Sequence, residues 1–115
     1  MTDAICHLVP ADYWKAQPAD RPYVPVDYEH EGFIHCTKGD ELIAVVANRY
    51  YWDDPREWLV LVLDEQALTS EMKYELAADG LLYPHIYGSL NRDAIREVRR
   101  MPRDPDGFFR SLSHS

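Results

Sequence analysis

The stretch Trp58-Leu59-Val60-Leu61-Val62-Leu63 decides the fold. Six apolar residues follow one another with no polar alternation, which predicts a strand buried on both faces near the middle of a sheet. A chain of 115 residues is long enough to bury a core around such a strand as one domain. We therefore expect a single domain over residues 1–107 and a C-terminal tail over residues 108–115, part of which Phe108 and Phe109 could hold in place.

The segments before this strand predict further short elements. Apolar residues recur at helical spacing over residues 41–51, which predicts the main helix, and Pro55 follows soon after its end. Residues 4–9 and 32–37 have the composition of strands. A short helix follows Pro10, with Asp12 or the preceding turn as its cap.

The segments after the central strand also predict short elements. Residues 65–68 could form one helical turn, and residues 72–75, 83–87 and 94–101 read as strands. Pro84 would place its strand at a sheet edge or at a strand start. Short strands with one main helix and one or two minor helices predict an α+β domain whose helices lie outside a mixed or split sheet.

Composition and charge argue against nucleic acid as a partner, against a membrane span and against export. The net charge is −8, with 20 acidic and 12 basic residues, which argues against binding a nucleic-acid backbone. No apolar run approaches the roughly 18 residues that a membrane span needs. The N-terminus lacks the basic region of a signal peptide, so we expect a cytoplasmic protein. In that compartment Cys6 and Cys36 are expected to be two buried thiols.

Three histidines lie within apolar or aromatic segments instead of on a polar surface. They are His7 in Ile5-Cys6-His7-Leu8-Val9, His35 in Phe33-Ile34-His35-Cys36, and His85 in Tyr83-Pro84-His85-Ile86-Tyr87. An imidazole can donate, accept or change charge near neutral pH, so repeated placement inside strands indicates a polar site built into the core. The alternative is that each is a buried histidine satisfied by hydrogen bonds within the protein.

Strand geometry limits which side chains can converge. Because neighbouring side chains alternate between faces, Cys6 points away from His7 and Cys36 away from His35. This argues against a mixed cysteine and histidine zinc site, whose usual spacing is also missing. A metal held by the three histidines remains an alternative, but no metal is expected.

Other candidate groups lie beside these histidines. Thr37 shares a strand face with His35, and its hydroxyl could bind a ligand sugar or phosphate, or cap the next helix. Tyr87 shares a face with His85 and offers an aromatic plane and a hydroxyl. Glu75 lies at the end of a predicted strand and is the main acidic candidate. It could act as a general base or stabilise a cation that develops during a reaction. Dinucleotide-fold, P-loop and serine-hydrolase motifs are absent from the sequence.

Several segments together resemble the bacterial family of domain of unknown function 952. They include Gly32-Phe33-Ile34-His35-Cys36-Thr37, Asn48-Arg49-Tyr50 and Pro84-His85-Ile86-Tyr87-Gly88. That family resembles the ADP-ribosyltransferase superfamily in fold: a split, mostly antiparallel sheet whose cleft holds NAD in active relatives. By this resemblance His7 matches the histidine that holds the cofactor ribose. Where a transferase carries its glutamate, this chain offers His85 or Tyr87, with Glu75 upstream.

The resemblance implies a small nucleotide ligand, NAD or a relative, in a cleft lined by His7, His35, Thr37, His85 and Tyr87. In an enzyme, His7 would fix a ribose hydroxyl and Tyr87 would stack on the leaving base. Glu75 or His85 would support the oxocarbenium-like centre, and NAD would be a substrate, not a tightly bound cofactor.

Three alternatives stay open: a non-catalytic nucleotide-binding or sensor module, a histidine metal site, and a purely structural or partner-binding domain. The sequence identifies no protein partner.

Overall fold

The predicted central strand is present as β4 in the computed structural model, which describes residues 4–112. In chain order the elements are β1 (Ile5–Pro10), α1 (Ala11–Ala16), α2 (Tyr28–Glu31), β2 (Ile34–His35), β3 (Thr37–Lys38), α3 (Asp40–Tyr51), β4 (Trp58–Leu63), β5 (Glu71–Leu76), β6 (Leu82–Tyr87) and β7 (Ile95–Arg100). Single 3-10 turns span Glu65–Ala67 and Arg92–Ala94.

The strands form two antiparallel sheets. The first has the order β3-β1-β4-β7 and the second the order β2-β6-β5. All six residues of β4 are buried between β1 and β7. The α+β class, with antiparallel sheets and few helices, is confirmed. In residues 4–112 no helix combines the length and the apolar character that crossing a bilayer requires.

Strand β4 is apolar throughout because each of its faces packs against a different core. Leu59, Leu61 and Leu63 pack between the two sheets, against residues such as Ile86. Trp58, Val60 and Val62 face the other way and pack with residues of α3. Burial on both faces removes any reason for polar alternation.

The chain after β7 contributes to the second of these cores. Phe109 and Leu112 are buried beside Trp58 and Ala47. Residues 1–3, where a signal peptide would begin, lie outside the described residues. The last three residues of the predicted tail, 113–115, also lie outside them.

The predicted strand over residues 32–37 is divided between the two sheets. Ile34 and His35 pair with β6, whereas Thr37 and Lys38 pair with β1. Between them, the Cys36 N–H donates to the Pro84 carbonyl at 3.0 Å. The segment therefore crosses from one sheet to the other at Cys36.

The prediction that Pro84 marks an edge or a strand start was wrong, since β6 is the middle strand of the second sheet. The N–H and C=O of one strand residue point toward the same neighbouring strand. Because the Pro84 carbonyl points to Cys36, the missing N–H of Pro84 also lies on that side, where β2 has already ended. Proline thus breaks no ladder hydrogen bond here.

Helix α2 was not predicted, and of the two caps considered for α1, Asp12 and the preceding turn, Asp12 was wrong. Pro10 precedes α1 without a side-chain cap, so Asp12 lies in the first turn and does not cap the helix. Helix α2 is a single turn, closed by Gly32, whose φ of +82° suits glycine and whose N–H donates to Tyr28. This turn brings the chain into β2.

A buried histidine connects the two sheets. His7 of β1 has its Nδ1 at 2.6 Å from the His35 carbonyl of β2 and its Nε2 at 2.9 Å from the Tyr23 hydroxyl. A carbonyl only accepts, so Nδ1 carries the proton and Nε2 accepts from Tyr23. Tyr23 is in turn fixed by two backbone hydrogen bonds with Leu90. His7 is therefore neutral and satisfied within the protein.

The ionisation of His7 links folding to pH. Burial lowers the pKa of His7 from 6.5 to about 4. Between these values the unfolded chain takes up a proton that the folded protein does not, so stability falls as the pH decreases from 6.5 to 4. We expect His7 to account for about 3 kcal/mol of this loss.

The measurement is denaturant unfolding of the wild type and His7→Gln at several pH values. The variant should be less stable at pH 7 and should show a correspondingly weaker decline toward pH 4. His30→Gln, which removes an exposed histidine, is the matched control. An unchanged pH dependence in His7→Gln would refute the assignment.

Candidate functional site

A cleft opens where β1 and β2 diverge. The β1–β3 register, continued along the chain, would place Leu8 opposite His35, but His35 has already joined the other sheet. Two cavities occupy the space. A first cavity of about 260 Å³ is lined by residues that include His7, Leu8, Tyr13, Tyr23, Tyr51 and Trp58. A second, of about 550 Å³, includes Arg49, Asp79, Tyr83 and His85. They share His35, Thr37 and Val46.

Among residues 4–112, no strand pairs with the backbone of Leu8 on the side of β1 that faces the first cavity. The Ala4 carbonyl accepts from Gly39 on the β3 side of β1, and every second residue of a strand points the same way. The N–H and C=O of Leu8 therefore also face that side. The ladder with β3 stops at the Cys6–Thr37 pair, so Leu8 presents one donor and one acceptor to the cleft.

Trp58 supplies a second unsatisfied group at the same cavity. Its indole Nε1–H is buried and has no acceptor among residues 4–112. Tyr51 stacks on the indole with ring centroids 4.1 Å apart, and the Arg56 guanidinium lies 5.3 Å from the ring centroid. A buried donor without a partner costs about 1–3 kcal/mol, which an acceptor on a ligand would recover.

His35 and Thr37 lie where the two cavities meet. The His35 side chain is 54% exposed, and its Nε2 lies 3.1 Å from Glu31, one helical turn earlier in the chain. Thr37 is buried and pairs with Cys6 across the β1–β3 ladder. These two of the predicted ligand-contacting residues therefore line the cleft.

A hydrogen-bonded set of three side chains lies on the second sheet. The His85 Nδ1 is 2.8 Å from Glu75 Oε1, and the Tyr87 hydroxyl donates to the same oxygen. These hydrogen bonds hold the pKa of Glu75 below its ordinary value and raise the pKa of Tyr87. Phe33 stacks on His85 with ring centroids 4.1 Å apart. Because the carboxylate accepts from Nδ1, His85 Nε2 is the ring atom left to accept a proton.

A second charged set lines the larger cavity. Arg49 donates to Asp79 Oδ2 at 3.1 Å, and the Tyr83 hydroxyl donates to the same oxygen. The hydrogen bonds from Tyr83, Leu81 and Arg49 keep the pKa of Asp79 below its ordinary value. The Arg49 side chain remains 40% exposed, so its other N–H groups can reach a ligand anion.

The predicted site residues gather along one cleft, but not in one cavity. His7 lines the first cavity, His85 lines the second, and His35 lines both. Glu75 and Tyr87 adjoin His85 on the same sheet face and line neither cavity. Within residues 4–112 no three histidine, cysteine or acidic side chains are grouped closely enough to hold a metal ion. The three histidines thus form no metal cluster.

Several polar groups of the cleft were missed by the sequence analysis. Tyr23 lies in a proline-rich loop, and nothing in the sequence relates it to His7. Trp58 was assigned to the core, which is correct, but its orphan N–H depends on tertiary packing. Arg49 and Asp79 come from distant segments, although Arg49 occurs in one of the segments that carried the family resemblance.

Both cysteines are buried thiols, as expected. Burial raises the pKa of Cys36, so its thiol stays protonated at neutral pH. This favours a structural role at the crossover between the sheets.

Comparison with known proteins identifies similar folds and a family. No curated protein gives a significant match. The crystal structure of protein CC0527 from Caulobacter crescentus is 20% identical, with a TM-score of 0.79 and 93% of each chain covered. Its solution NMR structure is 21% identical, with a TM-score of 0.73 over 90% of this chain and 89% of that one. These likenesses show a shared fold. The model of the family described as "Protein of unknown function (DUF952)" matches residues 8–98, most of the chain, and this protein therefore belongs to the DUF952 family.

Proposed function

We propose that this protein is an ADP-ribosyltransferase-like domain that binds NAD in the cleft and cleaves the bond between ribose and nicotinamide. One observation carries the proposal: the first cavity combines aromatic walls with the unpaired peptide of Leu8 and the orphan N–H of Trp58. Such a cavity suits a flat ring that bears an amide.

The nicotinamide end of NAD fits the polar groups of the first cavity. Its carboxamide carries one acceptor oxygen and one donor NH₂, which match the N–H and C=O of Leu8. The Trp58 N–H supplies a further donor. Tyr13 and Tyr51 contribute aromatic surface for the ring.

The ribose would lie at the junction of the cavities, beside His35 and Thr37. His7 acts there as a positioning residue, because both of its ring nitrogens are already engaged. It fixes the Tyr23 hydroxyl, which keeps a lone pair for a ribose hydroxyl. The role assigned to His7 is therefore indirect.

The diphosphate of NAD would extend into the second cavity. Arg49 is a cation on its wall, oriented by Asp79. A guanidinium held in this way can donate to a phosphate oxygen.

The reaction requires charge stabilisation and one proton acceptor. When the bond between the ribose carbon C1′ and the ring nitrogen breaks, the electron pair leaves with nicotinamide and positive charge develops on the ribose. Water adds to C1′ and transfers a proton to His85 Nε2. The products are nicotinamide, ADP-ribose and one proton.

Glu75 acts behind His85, not at the ribose itself. It accepts from Nδ1, which fixes the tautomer and stabilises the imidazolium that forms. Tyr87 donates to the same carboxylate oxygen and holds it in place. This arrangement divides the role predicted for Glu75 or His85 between the two residues.

The second candidate function is a non-catalytic nucleotide-binding or sensor module. It is favoured by the position of Glu75, which lies outside both cavities. Such a module would bind NAD and leave it intact.

Calorimetric titration tests binding. The wild type should bind NAD, ADP-ribose and nicotinamide, and Trp58→Phe should weaken nicotinamide affinity about tenfold because a donor is lost. Trp14→Phe changes a tryptophan that does not line the first cavity, and it should bind normally. Absence of binding to all three compounds at millimolar concentration would refute both candidate functions.

Chromatographic measurement of nicotinamide release tests turnover. We expect Glu75→Gln to lower the rate about 100-fold while NAD affinity changes less than twofold, since a general-base unit loses its charge. Glu71→Gln, which removes a neighbouring carboxylate on the same strand face, is the matched control. NAD binding without nicotinamide release by the wild type would support the sensor module, and equal rates in wild type and Glu75→Gln would exclude the role of Glu75.

A further inference from the structure

Strand β5 forms an open edge of the second sheet. It pairs with β6, and within residues 4–112 no strand pairs with its other side. Two of its large side chains are exposed: Leu76 is 73% exposed, and Tyr74, whose hydroxyl donates to Glu65, is 38% exposed. An open edge with exposed apolar groups is a surface on which another strand can pair.

The backbone groups that face outward can be identified from the hydrogen bonds of β6. The Pro84 carbonyl accepts from Cys36 and therefore points away from β5. Tyr74 is the partner of Pro84, so this pair exchanges no hydrogen bonds and the N–H and C=O of Tyr74 point outward. The turn between β5 and β6 leads to the same alternation, because the Ala77 N–H donates to the Leu81 carbonyl and so points toward β6. The outward residues are Met72, Tyr74 and Leu76.

We propose that two copies of this chain associate by antiparallel pairing of their β5 edges, with Tyr74 opposite the partner's Tyr74. In this register, Lys73 lies opposite the partner's Glu75, and Met72 lies opposite the partner's Leu76. The outward peptide groups of the two strands then exchange hydrogen bonds. The result is a continuous six-stranded sheet about a two-fold axis.

The charges along β5 select this register. Pairing centred on Lys73 would place two lysines opposite each other and Glu71 opposite the partner's Glu75. Pairing centred on Glu75 would oppose two glutamates. Like charges directly opposite are destabilising, whereas opposite charges are favourable. Pairing centred on Met72 also avoids opposing like charges, but it pairs only residues 71–73 of the strand. The register centred on Tyr74 therefore pairs the most residues of β5 without opposing like charges.

The association brings a second cation to the hydrogen-bonded set behind the cleft, where the chain's own Lys73 already lies 5.2 Å from the Tyr87 ring centroid. Residues directly opposite in a non-hydrogen-bonded pair have their Cβ atoms about 4.5–5.5 Å apart. The partner's Lys73 is thereby within reach of Glu75, whose Oε1 already accepts from His85 and Tyr87. The inference itself does not depend on the proposed function, since the open edge and its charges exist without a nucleotide.

Sedimentation equilibrium without nucleotide tests the edge. The wild type should be dimeric, and Tyr74→Pro should be monomeric, because proline removes an outward N–H and spares the hydrogen bonds to β6. Tyr74→Ala loses the same side-chain contacts and keeps the N–H, so it should remain dimeric. Circular dichroism should show that both variants fold.

Charge reversal tests the register. Lys73→Glu places glutamates opposite each other and should weaken the dimer at least about tenfold. The double variant Lys73→Glu/Glu75→Lys restores opposite charges and should recover the dimer. A monomeric wild type, or a dimer that Tyr74→Pro and Lys73→Glu leave unchanged, would overturn the proposal.

Discussion

The hydrogen bonds of one buried imidazole set the spacing between the two sheets. His7 lies on β1 and binds the backbone of β2 on one side and the Tyr23 hydroxyl on the other. Because a neutral ring with the proton on Nδ1 satisfies both, any change in the separation of the sheets would leave a buried polar group unpaired. Such a group is costly, so the cleft has a defined width before any ligand enters.

Strands β1 and β2 diverge where His7 bridges them, and this divergence also gives the cleft its polar groups. Where the strands part, the Leu8 peptide of β1 has no strand beside it, and the indole N–H of Trp58 has no acceptor, in the part of the chain that the structure describes. A folded protein keeps few such groups without a reason. Burial of all six residues of β4 provides the stability that offsets them.

The elements governed by local periodicity could be predicted from the sequence. Strand β4 and helix α3 have unambiguous patterns, and the proximity of Glu75 to His85 follows once the two segments are strands of one hairpin. The division of residues 32–37 could not be predicted, because it depends on pairing with Pro84, far along the chain. The hydrogen-bond partners of His7 could not be predicted either, since Tyr23 lies in a loop whose sequence has no periodicity. Helix α2, at four residues, is too short to show a pattern.

The crossover at Cys36 means that one five-residue segment, residues 34–38, contributes a strand to each sheet. Neither sheet is therefore an autonomous folding unit, and unfolding of one should be accompanied by loss of the other in a single cooperative step. Positions along the chain should also differ in how well they tolerate new termini. New termini in the turn at residues 78–80 would interrupt a connection within one sheet, whereas termini at residue 36 would cut the shortest of the connections that join the two sheets. Circular permutants of this fold should accordingly begin at the hairpin turn and not within the crossover.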